Sequence, residues 1–244
     1  MGIRGARSTG RTGRAGRIVT AVVAAALCGT AVAGCGGGDD GAPAAAAVVR
    51  TSPIAERLAK LPAAVDGPKV VVGGADAPRT VQVLVDPRCG YCAKFEAAGG
   101  ETLLKLADEG KVRVEYLLAS FLDRDGASGS TKAVNALRAS ADAGKFAEYQ
   151  AAVFASQPKG AFTDELLLRV ADRVPGLRGP DFDRAVRQAA YAGWVGEAEK
   201  AFEATGVRGT PAVLVDGKPI GAKDGSMFDA AAFARTLATA GIGG

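Results

Sequence analysis

Two cysteines, Cys89 and Cys92, enclose a two-residue spacer and are the side chains of this sequence best suited to chemistry. Residues three apart lie on one face of a helix, so the two sulfur atoms can form and break a disulfide. The thiolate is the form that attacks a disulfide. We therefore predict Cys89 as the nucleophile and Cys92 as the cysteine that resolves the mixed disulfide.

The elements around the pair are predicted to place Cys89 at the N-terminus of a helix. The Val- and Leu-rich run at residues 81–85 is typical of a buried strand, and Asp86-Pro87 ends it. From Cys89 onward the apolar residues follow a helical period. Unpaired N–H groups and the positive end of the helix dipole favour the thiolate, and Arg88 adds a positive charge. We therefore expect a lowered pKa for the Cys89 thiol.

Other chemistries find less support because the chain has no histidine. This excludes Ser-His-Asp triads, Cys-His nucleophile pairs and histidine zinc motifs. Zinc needs about four ligands, and this pair supplies two, so neither a metal nor a cofactor is predicted. A purely structural disulfide stays an alternative, although so small a loop adds little stability.

Two separate blocks resemble the DsbA-like branch of the thioredoxin superfamily, and the resemblance covers roughly residues 70–240. The first block, residues 69–96, contains Cys89-Gly90-Tyr91-Cys92, and the second, residues 206–218, contains Gly209-Thr210-Pro211. The resemblance implies an α/β thioredoxin fold, with a central mixed sheet flanked by helices. It also implies a helical insertion at about residues 128–205 between the two halves of the fold.

The resemblance also implies which residues contact a client protein. Pro211 would be a cis-proline facing the cysteines, and Thr210 would offer its backbone to an extended client segment, as in strand addition. Gly90 and Tyr91 would border the same segment. The alternative is a trans-proline that only opens the strand predicted at residues 212–215.

Two departures from the pattern leave the direction of electron flow open. Strongly oxidising DsbA proteins have Pro-His between the cysteines, whereas Gly90-Tyr91 followed later by Thr210 resembles the periplasmic disulfide isomerases. Thioredoxin-like proteins commonly bury an acid six residues before the nucleophile, but Val83 occupies that position. Asp86 and Glu96 do not match it, so proton transfer through water is expected.

The N-terminal 34 residues read as a signal peptide, with five arginines, no acidic residue and a short apolar stretch. Val32-Ala33-Gly34-Cys35 resembles the lipobox of bacterial lipoproteins, which implies a lipid on Cys35. An ordinary signal with a coincidental cysteine is the alternative. Residues 35–53 are predicted to carry this lipidated cysteine and a flexible Gly-, Ala- and Pro-rich linker, and residues 54–244 the folded domain.

The chain's net charge of +4 is positive only because of the five arginines in this leader. Without its five arginines, 25 basic side chains face 26 acidic ones and the net charge is −1. Nucleic-acid binding is therefore not predicted. The predicted function is an extracytoplasmic thiol-disulfide oxidoreductase, held on the outer face of the membrane through Cys35.

Its expected partners are reduced or misoxidised secreted proteins and a membrane thiol oxidase or reductant donor that recycles the cysteines. An oxidase is the first choice. A disulfide isomerase, a client-specific reductase and a non-catalytic peptide-binding lipoprotein with a structural disulfide are the alternatives.

Overall fold

A mixed six-stranded sheet lies at the centre of the computed structural model, which describes Gly2 and residues 48–243. Its strands, in the order β1-β2-β4-β3-β5-β6 across the sheet, are β1 (Ala63–Asp66), β2 (Lys69–Val72), β3 (Thr80–Val85), β4 (Arg113–Leu118), β5 (Ala212–Val215) and β6 (Lys218–Ile220). β3 and β4 are parallel, and the other neighbours are antiparallel. Residues 83–85 of β3 are fully buried, which is typical of a central strand covered on both faces.

The helices occupy four parts of the described chain: before β1, between β3 and β4, between β4 and β5, and after β6. They are α1 (Ala55–Leu58), α2 (Gly90–Phe95), a π-helical segment (Glu96–Gly100), α3 (Glu101–Asp108), α4 (Ser130–Asp142), α5 (Phe146–Ala155), α6 (Asp164–Ala171), α7 (Pro180–Arg187), α8 (Ala192–Ala204), a 3₁₀ turn (Ser226–Phe228) and α9 (Ala230–Thr239). Helices α4 to α8 lie between β4 and β5. The α/β thioredoxin fold with a helical insertion, predicted from the sequence, is confirmed. No helix among residues 48–243 is long and apolar enough to cross a bilayer.

Helices cover both faces of the sheet, because successive residues of a strand point to opposite sides. Val83 lies in the larger core, together with Cys92 of α2 and Phe233 of α9. Leu84 lies in a smaller core on the opposite face, against Phe202 of α8. The end of β3 is therefore held from both sides, and the segment that follows it carries the two cysteines.

Two helices have local features that the sequence analysis did not predict. The helix that follows Cys89 changes to π-helical geometry at Glu96–Gly100 and returns to α-helix at Glu101. The last helix, α9, begins at Ala230. The Asp229 side chain accepts a hydrogen bond from the Ala232 N–H and caps it, and the preceding residues form the 3₁₀ turn. Apart from Gly2, the predicted signal peptide, Cys35 and the linker as far as residue 47 lie outside the described residues.

The start of α4 depends on a close backbone approach at Gly129. This residue has a φ of 71°, and a Cβ there would lie 2.1 Å from the carbonyl oxygen of Phe162. The next residue, Ser130, donates its hydroxyl to the Asp86 carboxylate at 2.5 Å. Gly129 thus lets the insertion approach the segment that carries the cysteines.

We expect Gly129→Ala to lower the free energy of unfolding by more than about 2 kcal/mol. The left-handed backbone alone costs a residue with a side chain about 1–2 kcal/mol, and the new methyl group would also overlap the Phe162 backbone. Gly144→Ala is the matched control, because Gly144 has a φ of 66° and open space around its Cα. Chemical denaturation measures both variants, and equal losses would contradict the packing argument.

Candidate active site

Cys89 occupies the N-cap position of α2, directly beyond the turn that ends β3. Its backbone is extended, with φ −74° and ψ 116°, and its N–H donates to the Asp86 carbonyl oxygen at 2.9 Å. At an N-cap the side chain lies beside the unpaired N–H groups of the first helical turn. The sulfur of Cys89 is therefore placed where a negative charge is favoured.

The two thiols differ strongly in exposure and in pKa. Cys89 is partly exposed and Cys92 fully buried, and both are free thiols in this structure. A hydrogen bond from the Cys92 side chain is the largest cause that lowers the pKa of Cys89, from 9.0 to about 5. Burial of the Cys89 thiol raises this pKa, whereas hydrogen bonds from the backbone N–H groups of Cys92 and Tyr91 lower it further. Burial, and then the interaction with Cys89, raises the pKa of Cys92 far above its usual value. At neutral pH the reactive thiolate is that of Cys89.

The loop before β5 completes the surroundings of the Cys89 sulfur. The Thr210–Pro211 peptide bond is cis, and the Cys89 thiol donates to the Thr210 carbonyl oxygen at 3.3 Å. The Thr210 hydroxyl is buried and has no hydrogen-bond partner among the described residues, so it is free to donate to the Cys89 thiolate. It lowers the pKa of Cys89 by hydrogen bonding to the charged form. The structure thus brings Thr210 and Pro211 next to the cysteine pair.

A buried carboxylate, Asp86, ties the cysteine-bearing segment to the insertion. It is fully buried and accepts hydrogen bonds from the Arg88 N–H at 2.8 Å, the Leu122 N–H at 3.1 Å and the Ser130 hydroxyl. Burial raises its pKa, although these three bonds lower it. The sequence indicated that Asp86 ends the strand, but not that it joins three separate parts of the chain.

The loop after α5 holds the same segment from the other side, and sequence reasoning missed it. The Gln157 side-chain amide donates to the Pro87 carbonyl oxygen at 2.7 Å. The Arg88 guanidinium donates to the Pro158 carbonyl oxygen at the same distance. Arg88 was expected to lower the pKa of Cys89 by its charge. Its guanidinium is bound to Pro158 instead, and hydrogen bonds are the main causes that lower this pKa.

An exposed aromatic patch lies beside the cysteines, and we call Tyr91 and Phe228 the aromatic patch. Tyr91 is 63% exposed, its ring centroid lies 5.9 Å from that of Phe228, and the Lys94 ammonium is 5.2 Å from the Tyr91 ring. Phe95 is fully buried in the core, and Phe121 stacks on Phe202 of α8.

Residues 48–243 contain no group of three or more acidic, cysteine or histidine side chains arranged to hold a metal. The arrangement around Cys89 is instead suited to thiol chemistry. It combines a partly exposed thiolate, a buried partner thiol and a loop with backbone and hydroxyl groups beside the reactive sulfur.

Comparison with known proteins agrees with this geometry. The thioredoxin family model matches residues 66–231, about two thirds of the chain. The chain belongs to the thioredoxin family. The match begins at the end of β1 and ends in α9, so it includes the cysteine pair, the insertion and the Thr210–Pro211 loop.

Several proteins with solved structures share the fold. MdbA, a thiol-disulfide oxidoreductase from Corynebacterium matruchotii, has a TM-score of 0.59 and 22% identity, over 68% of this chain and 91% of MdbA. Oxidised BdbD from Bacillus subtilis has a TM-score of 0.59 and 20% identity, over 73% of this chain and 96% of BdbD. Reduced DsbA from Mycobacterium tuberculosis has a TM-score of 0.52 and 22% identity, over 71% of this chain and 100% of that DsbA chain. At these identities the likeness establishes the fold.

A short stretch of 31 residues, 13% of the chain, is 90% identical to part of hydroxyurea phosphotransferase from Kitasatospora aureofaciens. The chain covers 9% of that protein's length. The match spans too little of either protein to indicate a shared activity.

We expect Thr210→Val to raise the pKa of Cys89 above the wild-type value of about 5. Valine keeps the shape of threonine but cannot donate a hydrogen bond to the thiolate. Thr210→Ser keeps the hydroxyl and is the control. The measurement is the ultraviolet absorbance of the thiolate in the reduced protein as the pH is raised.

The same pKa shift predicts how stability depends on pH. The pKa of Cys89 is lower in the folded protein than its unfolded value of 9.0, so the thiolate stabilises the reduced fold fully above pH 9. This contribution is lost as the pH falls through about 5. Thr210→Val should bring the folded and unfolded pKa values of Cys89 closer together, so the stabilisation should be smaller and should be lost at a higher pH. An unchanged titration in Thr210→Val would contradict the assigned role of the hydroxyl.

Proposed function

We propose that this chain is an extracytoplasmic thiol-disulfide oxidoreductase that forms disulfides in secreted client proteins. The observation that carries the proposal is the difference between the two thiols of one Cys-Gly-Tyr-Cys sequence. The pKa of Cys89 is lowered to about 5, whereas that of Cys92 is strongly raised. Such a pair has one sulfur that reacts with clients and one that reacts only with its neighbour.

The reaction starts from the Cys89–Cys92 disulfide. A client thiolate attacks the partly exposed sulfur of Cys89, the bond to Cys92 breaks, and a mixed disulfide forms. A second client thiolate then attacks the client sulfur of the mixed disulfide, and Cys89 leaves as a thiolate. The client gains a disulfide, and Cys89 and Cys92 end as two reduced groups. A membrane thiol oxidase would restore the disulfide.

The lowered pKa of Cys89 supports this direction of electron flow. A sulfur with a low pKa is a good leaving group, and stabilising the thiolate stabilises the reduced form of the enzyme. A pKa of about 5 lies between the values of about 7 and 3.5 for the reactive cysteines of thioredoxin and DsbA. The site therefore favours an oxidant that is weaker than DsbA.

The surroundings of Cys89 support binding of an extended client segment. The Thr210 backbone next to the cis-proline is available for strand addition. Gly90 is exposed, and the aromatic patch adds apolar surface beside the cysteine pair. The same arrangement would serve disulfide isomerisation, for which the protein would be kept reduced and Cys89 would attack misformed disulfides.

The proposed location is the outer face of the cell membrane. The lipobox-like sequence before Cys35 supports a lipid anchor, and several acyl chains at about 0.8 kcal/mol per buried CH₂ would hold the protein firmly. Reduced secreted proteins, and a membrane enzyme that recycles the cysteines, would both be within reach of a domain on a short linker.

We expect Cys92→Ala to accumulate mixed disulfides between Cys89 and client proteins. In the variant the Cys89 thiolate can still attack an existing client disulfide, which releases one client sulfur as a thiolate, and no Cys92 thiol is present to open the mixed disulfide that forms. Non-reducing electrophoresis of cells that make the variant measures these species. The Cys89→Ser, Cys92→Ala double variant is the control and should form none.

The absence of Cys89-dependent species in cells that contain folded Cys92→Ala protein would contradict catalysis. Retained client binding and biological function in a Cys89→Ser, Cys92→Ser variant would instead support a peptide-binding lipoprotein. Accumulation of misformed client disulfides in cells without the protein, with normal total disulfide content, would indicate an isomerase.

We expect Cys35→Ala to move the protein from the membrane fraction to the soluble secreted fraction, because it removes the sulfur that would carry the lipid. Cys28→Ala is the matched control, since Cys28 lies within the predicted signal peptide and should leave fractionation unchanged. Wild-type fractionation of Cys35→Ala would contradict the lipid anchor.

A further inference from the structure

A short stretch of chain before α1 lies against α5, and we call residues 49–53 the strap. The sequence predicted a linker as far as residue 53. In the structure Val49 packs against the larger core, and Ser52 is 9% exposed. The strap is therefore part of the folded domain, and it is the part that a linker would join.

The strap is bound to the end of α5 through its main chain. The Arg50 N–H donates to the Ser156 hydroxyl at 2.8 Å, and the same hydroxyl donates to the Arg50 carbonyl oxygen at 3.2 Å. Ser156 is 1% exposed. Because both bonds use main-chain atoms of Arg50, they do not depend on its side chain.

The residue that the strap binds directly precedes the loop that holds the turn before Cys89. This loop leaves α5 at Ser156, and the Gln157 N–H is 3.4 Å from the Phe154 carbonyl oxygen, which is a long hydrogen bond. The helix therefore fixes the start of the loop weakly. The strap adds a second attachment at Ser156.

The loop and the turn exchange two hydrogen bonds. The Gln157 side chain donates to the Pro87 carbonyl oxygen at 2.7 Å. The Arg88 guanidinium donates back to the Pro158 carbonyl oxygen at 2.7 Å. Gln157 also faces the residue after the nucleophile, because a Cβ at Gly90 would lie 3.9 Å from its Oε1 atom. A continuous series of contacts therefore leads from the strap to both sides of the nucleophile.

The position of the turn determines the position of the reactive sulfur. Pro87 is buried, so its carbonyl oxygen needs a partner from the protein, and the Gln157 amide supplies it. Cys89 follows two residues later. The hydrogen bonds that lower the pKa of Cys89 depend on the distance of its sulfur from Thr210 and from the first turn of α2. A displaced turn would lengthen them.

The other end of the strap lies over the helical run that begins at α2. The Ser52 hydroxyl donates to the Glu101 carboxylate of α3 at 3.4 Å. Residues 51–53 line a cleft of about 90 Å³ together with residues of α2, α5 and the π-helical segment. Glu96 lines the same cleft and is 6% exposed, with its carboxyl group against Gly100. The strap therefore spans α5 and the helical run that follows the nucleophile.

We propose that the strap is a positioning element of the redox site, which acts through Ser156 and Gln157 to hold the turn before Cys89 in place. This inference rests on the proposed function, in which Cys89 is the reacting sulfur. Since a linker would join the domain at the strap, the attachment point of the domain and the reactive sulfur are connected through successive hydrogen bonds.

The test measures the pKa of Cys89 in the reduced, purified full-length protein, from the rate at which iodoacetamide alkylates it at each pH. Tandem mass spectrometry distinguishes Cys89 from Cys92. We expect Ser156→Ala to raise the Cys89 pKa above the wild-type value of about 5. The rise should be up to about one pH unit, which is about the contribution of one hydrogen bond.

The same variant should shift the equilibrium of the cysteine pair with glutathione. A raised pKa of Cys89 means a less stable thiolate, and therefore a less stable reduced protein at neutral pH. We expect the equilibrium constant to change by up to about tenfold in favour of the disulfide, which corresponds to about 30 mV. A strap that only covers the core would change the stability of the protein and leave both quantities unchanged.

Matched variants identify the contact that is responsible. Arg50→Pro removes the main-chain N–H but keeps the Ser156 hydroxyl, and should raise the Cys89 pKa in the same direction. Arg50→Ala keeps both main-chain groups and should match the wild type. Ser140→Ala is the control for Ser156→Ala. Ser140 is also buried, but it lies in α4 and donates to the Leu137 carbonyl oxygen, so its replacement should leave the pKa unchanged.

A double variant tests the route through Gln157. Gln157→Leu removes the amide, keeps a side chain of similar size and should raise the Cys89 pKa by itself. Adding Ser156→Ala should then change the pKa little, because two changes within one series of contacts are not additive. Two independent structural losses would add.

Each outcome decides one part of the account. A wild-type Cys89 pKa in folded Ser156→Ala and Arg50→Pro proteins would overturn the positioning role, even if both variants were less stable. Full additivity in the double variant would overturn the route through Gln157. If the wild-type pair forms no reversible disulfide with glutathione, the proposed function fails, whereas the comparison of pKa values still decides the role of the strap.

Discussion

The chemistry of this protein depends on one interaction, the hydrogen bond from the buried Cys92 thiol to the sulfur of Cys89. It is the largest cause of the lowered pKa of Cys89, and it keeps the proton on the sulfur that cannot reach solvent. Both consequences follow from placing one cysteine at the N-cap of α2 and the other one turn inside the core. The nucleophile and the resolving thiol are thereby distinguished by position, although their chemical groups are identical.

Three parts of the chain, far apart in sequence, hold this arrangement. The Asp86 carboxylate joins the end of β3 to the insertion, the loop at Gln157 holds the same turn from α5, and Thr210 approaches the sulfur from the loop before β5. The insertion therefore does more than cover the sheet, since its first helix and the loop after its second both bind the segment before Cys89. A change in either contact should alter the position of the nucleophile without touching it.

The local elements of the site were predictable from the sequence, and the long-range contacts were not. The apolar run of β3, the turn at Asp86-Pro87 and the helix after Cys89 follow from local patterns, and the second block places Thr210 before a strand. Gln157 gave no signal, because an amide in a Pro- and Gly-containing loop has no pattern that names its partner. Glu96 was set aside for its position in sequence, since its burial depends on a π turn and on Gly100, which hydrophobic periodicity does not reveal.

The most direct test of the account is the reduction potential of the Cys89–Cys92 pair, measured by equilibrating the purified protein with glutathione buffers. A thiolate stabilised at Cys89 and an unfavourable charge at Cys92 predict a reversible two-electron transition, between about −120 and −180 mV, the range of DsbA and protein disulfide isomerase. A value near about −270 mV, as in thioredoxin, would make the protein a reductant and contradict the oxidase function. The absence of any reversible transition would contradict the exchange chemistry itself.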